Sequence, residues 1–310
     1  MPSRTQVAQT YDAIAAHVRR TPIVELDGVV LKLELMQHAG SFKPRGAFAT
    51  VLAQPERPRR LVAASGGNHG LAVAHVGAVL GIPTDIFVPD IASPVKVAAI
   101  RERGAELHQT GENYAAALTA SQQAAGGPGV LAIHAYDGPQ TLGGQATVAL
   151  ELEQQAPDLD TVVVAVGGGG LIGGIAAWYA ETAARVVAVE PARCPALHRA
   201  LAAGRPTPAP VGGVAADALG ASQVGDRGFT ACRAAGVESI LVEDEEIVAA
   251  QHHLWRELRV VAEPAGATAL AAVLTGRVAG TRIGVVVCGA NTDPATVVNH
   301  VAPPRAAATG

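Results

Sequence analysis

Short, mostly apolar runs alternate with longer segments of helical period along this 310-residue chain, and that alternation is what most narrows its fold. Val29–Leu33, Leu61–Ala64, Thr84–Val88, Glu106–Gln109, Val130–Ile133, Thr161–Val166, Arg185–Val189 and Ile283–Val287 read as strands. Gly70–Leu80, Pro94–Arg103, Asn113–Ala124 and Thr141–Gln155 carry helical patterns between them, and a first helix is predicted over Val7–Val18. Strands separated by helices pair in parallel, because the crossover helix returns the chain to the same end of the sheet. Val162–Val166 and Ile283–Val287 lack a polar face, as strands covered on both sides require. Eight or more strands exceed one comfortable sheet, so two α/β domains are predicted. No linker separates them, which implies that the chain crosses between domains more than once. Gly204–Val224, rich in Pro, Gly and Ala, is predicted as a long surface connection, and Ala302–Gly310 as a frayed tail.

The composition excludes several functions. Hydrophobic residues at 49% with only 16% charged imply a compact globular protein. A net charge of −4 without a basic stripe offers nucleic acid nothing to hold. There is no basic-then-apolar leader, and no apolar run reaches the ~18 residues of a membrane span. Cys194, Cys232 and Cys288 show neither a pairing count nor metal-type spacing, which points to a reducing, cytoplasmic setting.

Of 23 basic residues only Lys32, Lys43 and Lys96 are lysines. Arginine keeps its proton in a protein, whereas lysine can release it and form Schiff bases. Lys32 lies in an apolar run, and Lys96 follows Pro94 on a helix predicted to be solvated. Lys43 sits in Gly40-Ser41-Phe42-Lys43-Pro44-Arg45-Gly46, which by itself also reads as a plain helix start. Two glycine-rich turns each follow a strand and open a helix: Ser65-Gly66-Gly67-Asn68-His69-Gly70 and Gly167-Gly168-Gly169-Gly170-Leu171-Ile172-Gly173-Gly174. Such turns leave N–H groups aimed at a ligand beside the positive end of a helix. One suits a phosphate and the other a carboxylate; the competing reading is tight turns needed only for packing. Gly168–Gly173 also satisfies G-x-G-x-x-G, with Glu190 about 20 residues on, as a dinucleotide-binding oxidoreductase would have it. That alternative leaves Lys43, the Asn68 loop and the Cys288 turn unexplained.

In order, these pieces resemble the fold-type-II pyridoxal-phosphate (PLP) enzymes of the tryptophan synthase beta-like family, most closely their serine/threonine dehydratase (threonine ammonia-lyase-like) branch. The resemblance runs from Thr21-Pro22 through Lys32-Leu33-Glu34, Gly40–Gly46, Ser65–Gly70, Gly143–Thr147, Gly167–Leu171 and Glu263-Pro264-Ala265-Gly266-Ala267 to Cys288-Gly289-Ala290-Asn291. It implies two three-layer α/β/α domains with mostly parallel twisted sheets. Residues 1–46 and 141–310 would form the large, PLP-binding domain and 47–140 the small one, the chain crossing twice. It further implies that Lys43 holds PLP covalently and acts as the catalytic base, that Phe42 packs on the ring, and that Asn68 bonds the phenolic oxygen. Backbone N–H groups of Gly167, Gly168, Gly169, Gly170 and Leu171 would hold the phosphate. Ser65, Gly66, Gly67, Asn68 and His69 would receive the substrate carboxylate. Cys288, on its own a residue type most often found as a small buried hydrophobe, would face the pyridine nitrogen. A weak donor there makes a poorer electron sink than a carboxylate would, which favours elimination. The implied activity is a dehydratase turning L-serine and/or L-threonine into a 2-oxo acid and ammonia. A β-replacement synthase, 3-hydroxyaspartate dehydratase or racemase is the alternative within the family, and a homodimer is the expected assembly.

Departures from the family pattern narrow this. Racemases of the family carry a second Ser where this chain has Gly66. The family's divalent-cation site uses the Glu of a Glu-Pro pair, a carbonyl four residues on and an acid six residues on. Here Glu190-Pro191 is followed at those places by Cys194 and Ala196, so no metal is expected, and Glu190 is the one weak candidate. Ala216-Asp217-Ala218 replaces Ala-Asp-Gly, and Tyr136 either touches the substrate or packs. His252-His253, His69, His75 and Glu243–Glu246 read as surface, loop-stabilising or helix-start residues. No regulatory domain is expected beyond Gly310.

Overall fold

The structure, a computed structural model, describes residues 1–90, 92 and 94–299; the predicted tail at Ala302–Gly310 and the side chain of Lys96 lie outside them. Among the described residues there are ten strands: β1 Ile23–Leu26, β2 Val29–Lys32, β3 Arg60–Ala64, β4 Thr84–Val88, β5 Glu106–Gln109, β6 Val130–Ala132, β7 Thr161–Ala165, β8 Arg185–Pro191, β9 Glu238–Val242 and β10 Ile283–Val286. They form a six-stranded sheet in the order β1-β2-β10-β7-β8-β9 and a four-stranded sheet in the order β5-β4-β3-β6. Every pairing is parallel except β1 with β2. The helices are α1 Arg4–Ile14, α2 Lys43–Leu52, α3 Asn68–Leu80, α4 Pro94–Arg101, α5 Tyr114–Ala124, α6 Pro139–Gln155 and α7 Gly170–Tyr179. They continue with α8 Ala196–Ala203, α9 Ala216–Leu219, α10 Asp226–Ala234, α11 Asp244–Leu258, α12 Pro264–Leu274 and α13 Pro294–Val298.

The buried strands are the ones whose composition announced them. All five residues of β7 are buried, because helices cover both of its faces. One apolar core surrounds the six-stranded sheet and a second surrounds the four-stranded one. The boundary at 46/47 falls inside α2, and that at 140/141 inside α6.

The structure differs from the sequence reading in several elements. Helix α1 begins at Arg4 because Ser3 and Gln6 close a capping box ahead of it, and it ends at Ile14 rather than Val18. Strand β1 was not predicted; it pairs with β2 through Asp27-Gly28, both at positive φ, the two-residue hairpin turn that Asp-Gly favours. Strand β9 was missed because it is short and partly exposed at the sheet edge. Residues 204–224 are more than a surface connection: they contain α9, and residues 216–222 line the cavity described below.

Four charged side chains with no solvent exposure lie where α2, α6 and β2 meet: Lys32, Glu34, Arg45 and Glu151. Arg45 Nε and Nη2 donate to the two Glu34 oxygens at 2.8 Å each, and Nη1 and Nη2 donate to the Glu151 oxygens at 2.8 and 2.9 Å. Lys32 Nζ donates to Glu151 at 2.6 Å and to Thr21 O and Gln155 Oε1 at 2.8 Å. Burial alone would raise the Glu34 carboxyl, but Arg45, together with Lys32 and Thr21, more than offsets it and holds Glu34 below the ordinary carboxylate range. The cluster is neutral and satisfies every lysine donor. Arg45→Met is therefore expected to lower stability by about 3–5 kcal/mol, since two carboxylates would lose the guanidinium that solvates them. Urea titration with circular dichroism reads the loss; a change below about 1 kcal/mol would show the cluster to be dispensable.

Candidate active site

A cavity of about 760 Å³ opens between the two sheets, at the carboxyl ends of β3, β7 and β10. Loops after parallel strands converge there because every such strand points the same way, which is why α/β sheets bind ligands at that edge. The β3–α3 loop supplies Ser65–Asn68, the β7–α7 loop Gly167–Gly169, and the turn after β10 Cys288. Lys43, the first residue of α2, closes one wall.

Lys43 is partly buried, and its Nζ donates to Ala135 O at 2.7 Å and lies 5.2 Å from the centre of the Phe42 ring. Burial pulls its ammonium down to about 8, although Cys288 and Glu263 act the other way. At pH 8 about half of such amines are neutral, against about 0.3% at the ordinary value of 10.5. Lys43 can therefore act as a nucleophile or base near neutrality. The Cys288 thiol is pushed far up by burial and donates its hydrogen to Ala265 O at 3.4 Å, so it stays a neutral thiol. His69 is also neutral: burial, and then the Lys43 charge, lower it to about 3, and its Nε2 lies 2.8 Å from Ile133 O. A carbonyl only accepts, so Nε2 carries the hydrogen.

Both glycine turns offer uncommitted donors. Among the described residues the backbone N–H groups of Gly167 to Leu171 make no hydrogen bond, and neither do those of Gly66, Asn68 and His69. Orphan N–H groups at the start of a helix suit an anion. The glycines of the second turn are needed for more than that ligand. A Cβ on Gly168 would come within 2.3 Å of the Tyr136 ring, and Gly169 stands at φ +89°. A phosphate group fits this run of donors, and an aldehyde within reach of Lys43 fits the lowered amine.

Ser65–His69 and Gly167–Ile172 of the two glycine turns, together with Phe42, Lys43 and Cys288, line this one cavity, whereas Gly70, Gly173 and Gly174 do not. Glu190 does not. Its carboxylate accepts from Leu197 N and His198 N, each at 2.7 Å, and from Ser239 Oγ at 3.3 Å. These bonds at the start of α8 leave it no role on a ribose, which removes the feature that made Gly168–Gly173 resemble a dinucleotide site. Tyr136 packs on the tetraglycine turn and also borders the cavity. Sequence reasoning missed Glu263, the Ala135 carbonyl and Ala221-Ser222 as wall residues. A Glu preceding Pro at a helix start was a signal for the first; a carbonyl acceptor leaves none.

Comparisons with known proteins point to one family. The family described as pyridoxal-phosphate dependent enzyme matches residues 14–289. An L-threonine ammonia-lyase of Geobacter sulfurreducens is 36% identical over 94% of this chain and 76% of its own. A phenylserine dehydratase of Ralstonia pickettii is 34% identical over 97% of both chains. The solved structure of maize serine racemase superposes with a TM-score of 0.90 at 31% identity, covering 95% of each chain.

Acylation of Lys43 in protein without added cofactor, followed by peptide mass spectrometry, is expected to rise with pH through a midpoint near 8. Below that pH the protonated amine is inert; above it the neutral amine reacts. A midpoint near 10.5 would contradict the effect of burial.

Proposed function

This chain belongs to the pyridoxal-phosphate dependent enzymes, and from that premise we propose that it is a dehydratase of β-hydroxy amino acids, acting on L-serine and/or L-threonine. The observation that carries this reading is a half-buried lysine with its amine lowered to about 8, in one cavity with orphan N–H groups and a neutral thiol. Lys43 would hold PLP covalently, Gly167–Leu171 its phosphate, Asn68 its phenolic oxygen and Cys288 its ring nitrogen, with Phe42 packed beside it. Bound there, PLP supplies an electron sink that acidifies the substrate's α-proton.

The chain's own groups supply the rest. N–H groups of Gly66, Asn68 and His69 orient the substrate carboxylate, which places the α-proton toward Lys43. Lys43, freed as the substrate's amino group takes its place, removes that proton as the neutral amine. The β-hydroxyl departs with one proton as water. The enamine that is released tautomerises to an imino acid, which takes up water to give the 2-oxo acid and ammonium. Overall, one zwitterionic hydroxy amino acid yields one 2-oxo acid anion and one ammonium ion. The neutral thiol at Cys288 favours this concerted loss over build-up of charge on the substrate. Relatives named for ammonia loss from threonine and dehydration of phenylserine support the reaction class.

Racemisation is the alternative that the maize neighbour raises. It requires a base on the opposite face, where this chain has Gly66. The reading also carries a cytoplasmic homodimer and a small domain at 47–140. The position of the whole four-stranded sheet within that segment supports the latter; sedimentation velocity tests the former.

Protein reconstituted with PLP is expected to show a visible absorption band that borohydride bleaches irreversibly, and to release ammonia from L-serine or L-threonine. Lys43→Ala should lower that release by about 10²–10⁴-fold or more; undiminished release would sink the proposal. The nearest atoms to a Cβ at Gly66 are Val88 Cγ1 at 3.5 Å, Ala92 Cβ at 3.8 Å and Val88 Cβ at 3.9 Å, ordinary contact distances, so Gly66→Ser has room. That variant is expected to keep its stability within about 1 kcal/mol and to raise the ratio of racemisation to elimination in a chiral assay. An unchanged ratio would show that a hydroxyl at 66 does not reach the opposite face.

A further inference from the structure

A line of hydrogen bonds crosses from Glu263 through Asn68 and Asn291 to Ala39. Glu263 is the N-cap of α12, yet its side chain does not cap that helix. It turns instead to the cavity wall, where it is only 4% exposed and its Oε1 accepts from Asn68 Nδ2 at 2.6 Å. Asn68 Oδ1 accepts from Asn291 Nδ2 at 2.7 Å, and Asn291 Nδ2 also donates to Ala39 O at 2.8 Å. The turn after β10 is shaped around the carboxylate. A Cβ on Gly289 would stand 2.1 Å from Glu263 Oε1 and 3.3 Å from Asn68 Nδ2.

The sense of this line is set from one end. A carboxylate offers only acceptors, so the Asn68 amide cannot turn over without setting Oδ1 against a carboxylate oxygen. Asn291 reinforces the choice, because both hydrogens of its Nδ2 are spent on Asn68 Oδ1 and Ala39 O. One Asn68 Nδ2 hydrogen then remains, on a residue that lines the cavity. An amide free to flip would offer its oxygen as readily as its nitrogen, and an oxygen repels an anionic partner.

We propose that Glu263 is a positioning residue: it locks the Asn68 amide so that Nδ2 is presented as a donor to an anionic oxygen of the ligand held beside Lys43. The assignment rests on the reading that this ligand is PLP. Glu263 acts through Asn68 and not on the reacting atoms, and the buried carboxylate also opposes the fall of the Lys43 amine.

The test is titration of the cofactor-free wild type, Glu263→Ala and Glu263→Gln with PLP, reading the dissociation constant and the position of the visible band. Glu263→Ala is expected to weaken binding about tenfold, the worth of one charge-assisted hydrogen bond, and to shift the band. Glu263→Gln, whose Oε1 still accepts from Asn68, should recover most of both. Wild-type affinity and band position in Glu263→Ala would overturn the inference, as would a Gln variant no better than Ala. Should Glu263→Ala fail to fold, Asn291→Ala carries the same expectation, and wild-type behaviour there would overturn it too. A wild type that binds no PLP would instead overturn the functional reading, and this inference with it.

Discussion

Arg45 is the contact on which the cavity depends. It lies two residues beyond Lys43 on α2, and its guanidinium is clasped by Glu34, next to β2, and by Glu151 on α6. Lys32 on β2 completes the cluster through Glu151. A buried ionic group is costly unless its partners are in place, so few other packings of α2 against α6 are tolerable. Replacing such a cluster with apolar side chains often leaves stability unchanged. The better account of its presence is that it fixes one register, and with it the position of Lys43. The same geometry places the amino end of α2 beside the Cys288 turn, where Phe42 N donates to Cys288 O at 3.3 Å.

Beyond that anchor the site is built from weak charges and backbone dipoles. Burial lowers the Lys43 amine to about 8, Cys288 and His69 are neutral, and the uncommitted donors at the glycine turns are peptide N–H groups. Fixed N–H groups need no reorganisation when an anion arrives, and they do not raise the ammonium of a nearby lysine as a carboxylate would. Glu263 is the buried acid of the wall, and its carboxylate is held by Asn68 Nδ2. Charge is thus rationed to where it orients a neighbour.

Most of the fold was legible because buried parallel strands must be apolar on both faces, as β7 and β10 are. Strand β1 was equally readable from Ile23–Leu26 and the Asp27-Gly28 turn, and was passed over. Strand β9 was not, since a half-exposed edge strand has no distinctive pattern. The run from 204 to 224 looked like surface because Pro, Gly and Ala mark loops. Small residues serve equally well where a chain must pass close to a ligand cavity, and Ala216–Ser222 does so. Glu190 illustrates the opposite case: its spacing from the glycine turn suited the rival reading, a ribose, but α8 holds its carboxylate.

By itself the sequence determined the α/β class and singled out the lysine and the two glycine turns that line one cavity. Each of these rests on local chemistry: side-chain period, a residue able to lose a proton, and glycines at strand-to-helix turns. Tertiary structure alone decided that the lysine is depressed to about 8, that the thiol of Cys288 is neutral, and that Asn68 Nδ2 donates to Glu263. Those properties depend on burial and on partners more than 190 positions away in the chain, such as Glu263 for Asn68. Desolvation and hydrogen-bond direction are properties of a packed neighbourhood, and no spacing along the chain encodes them.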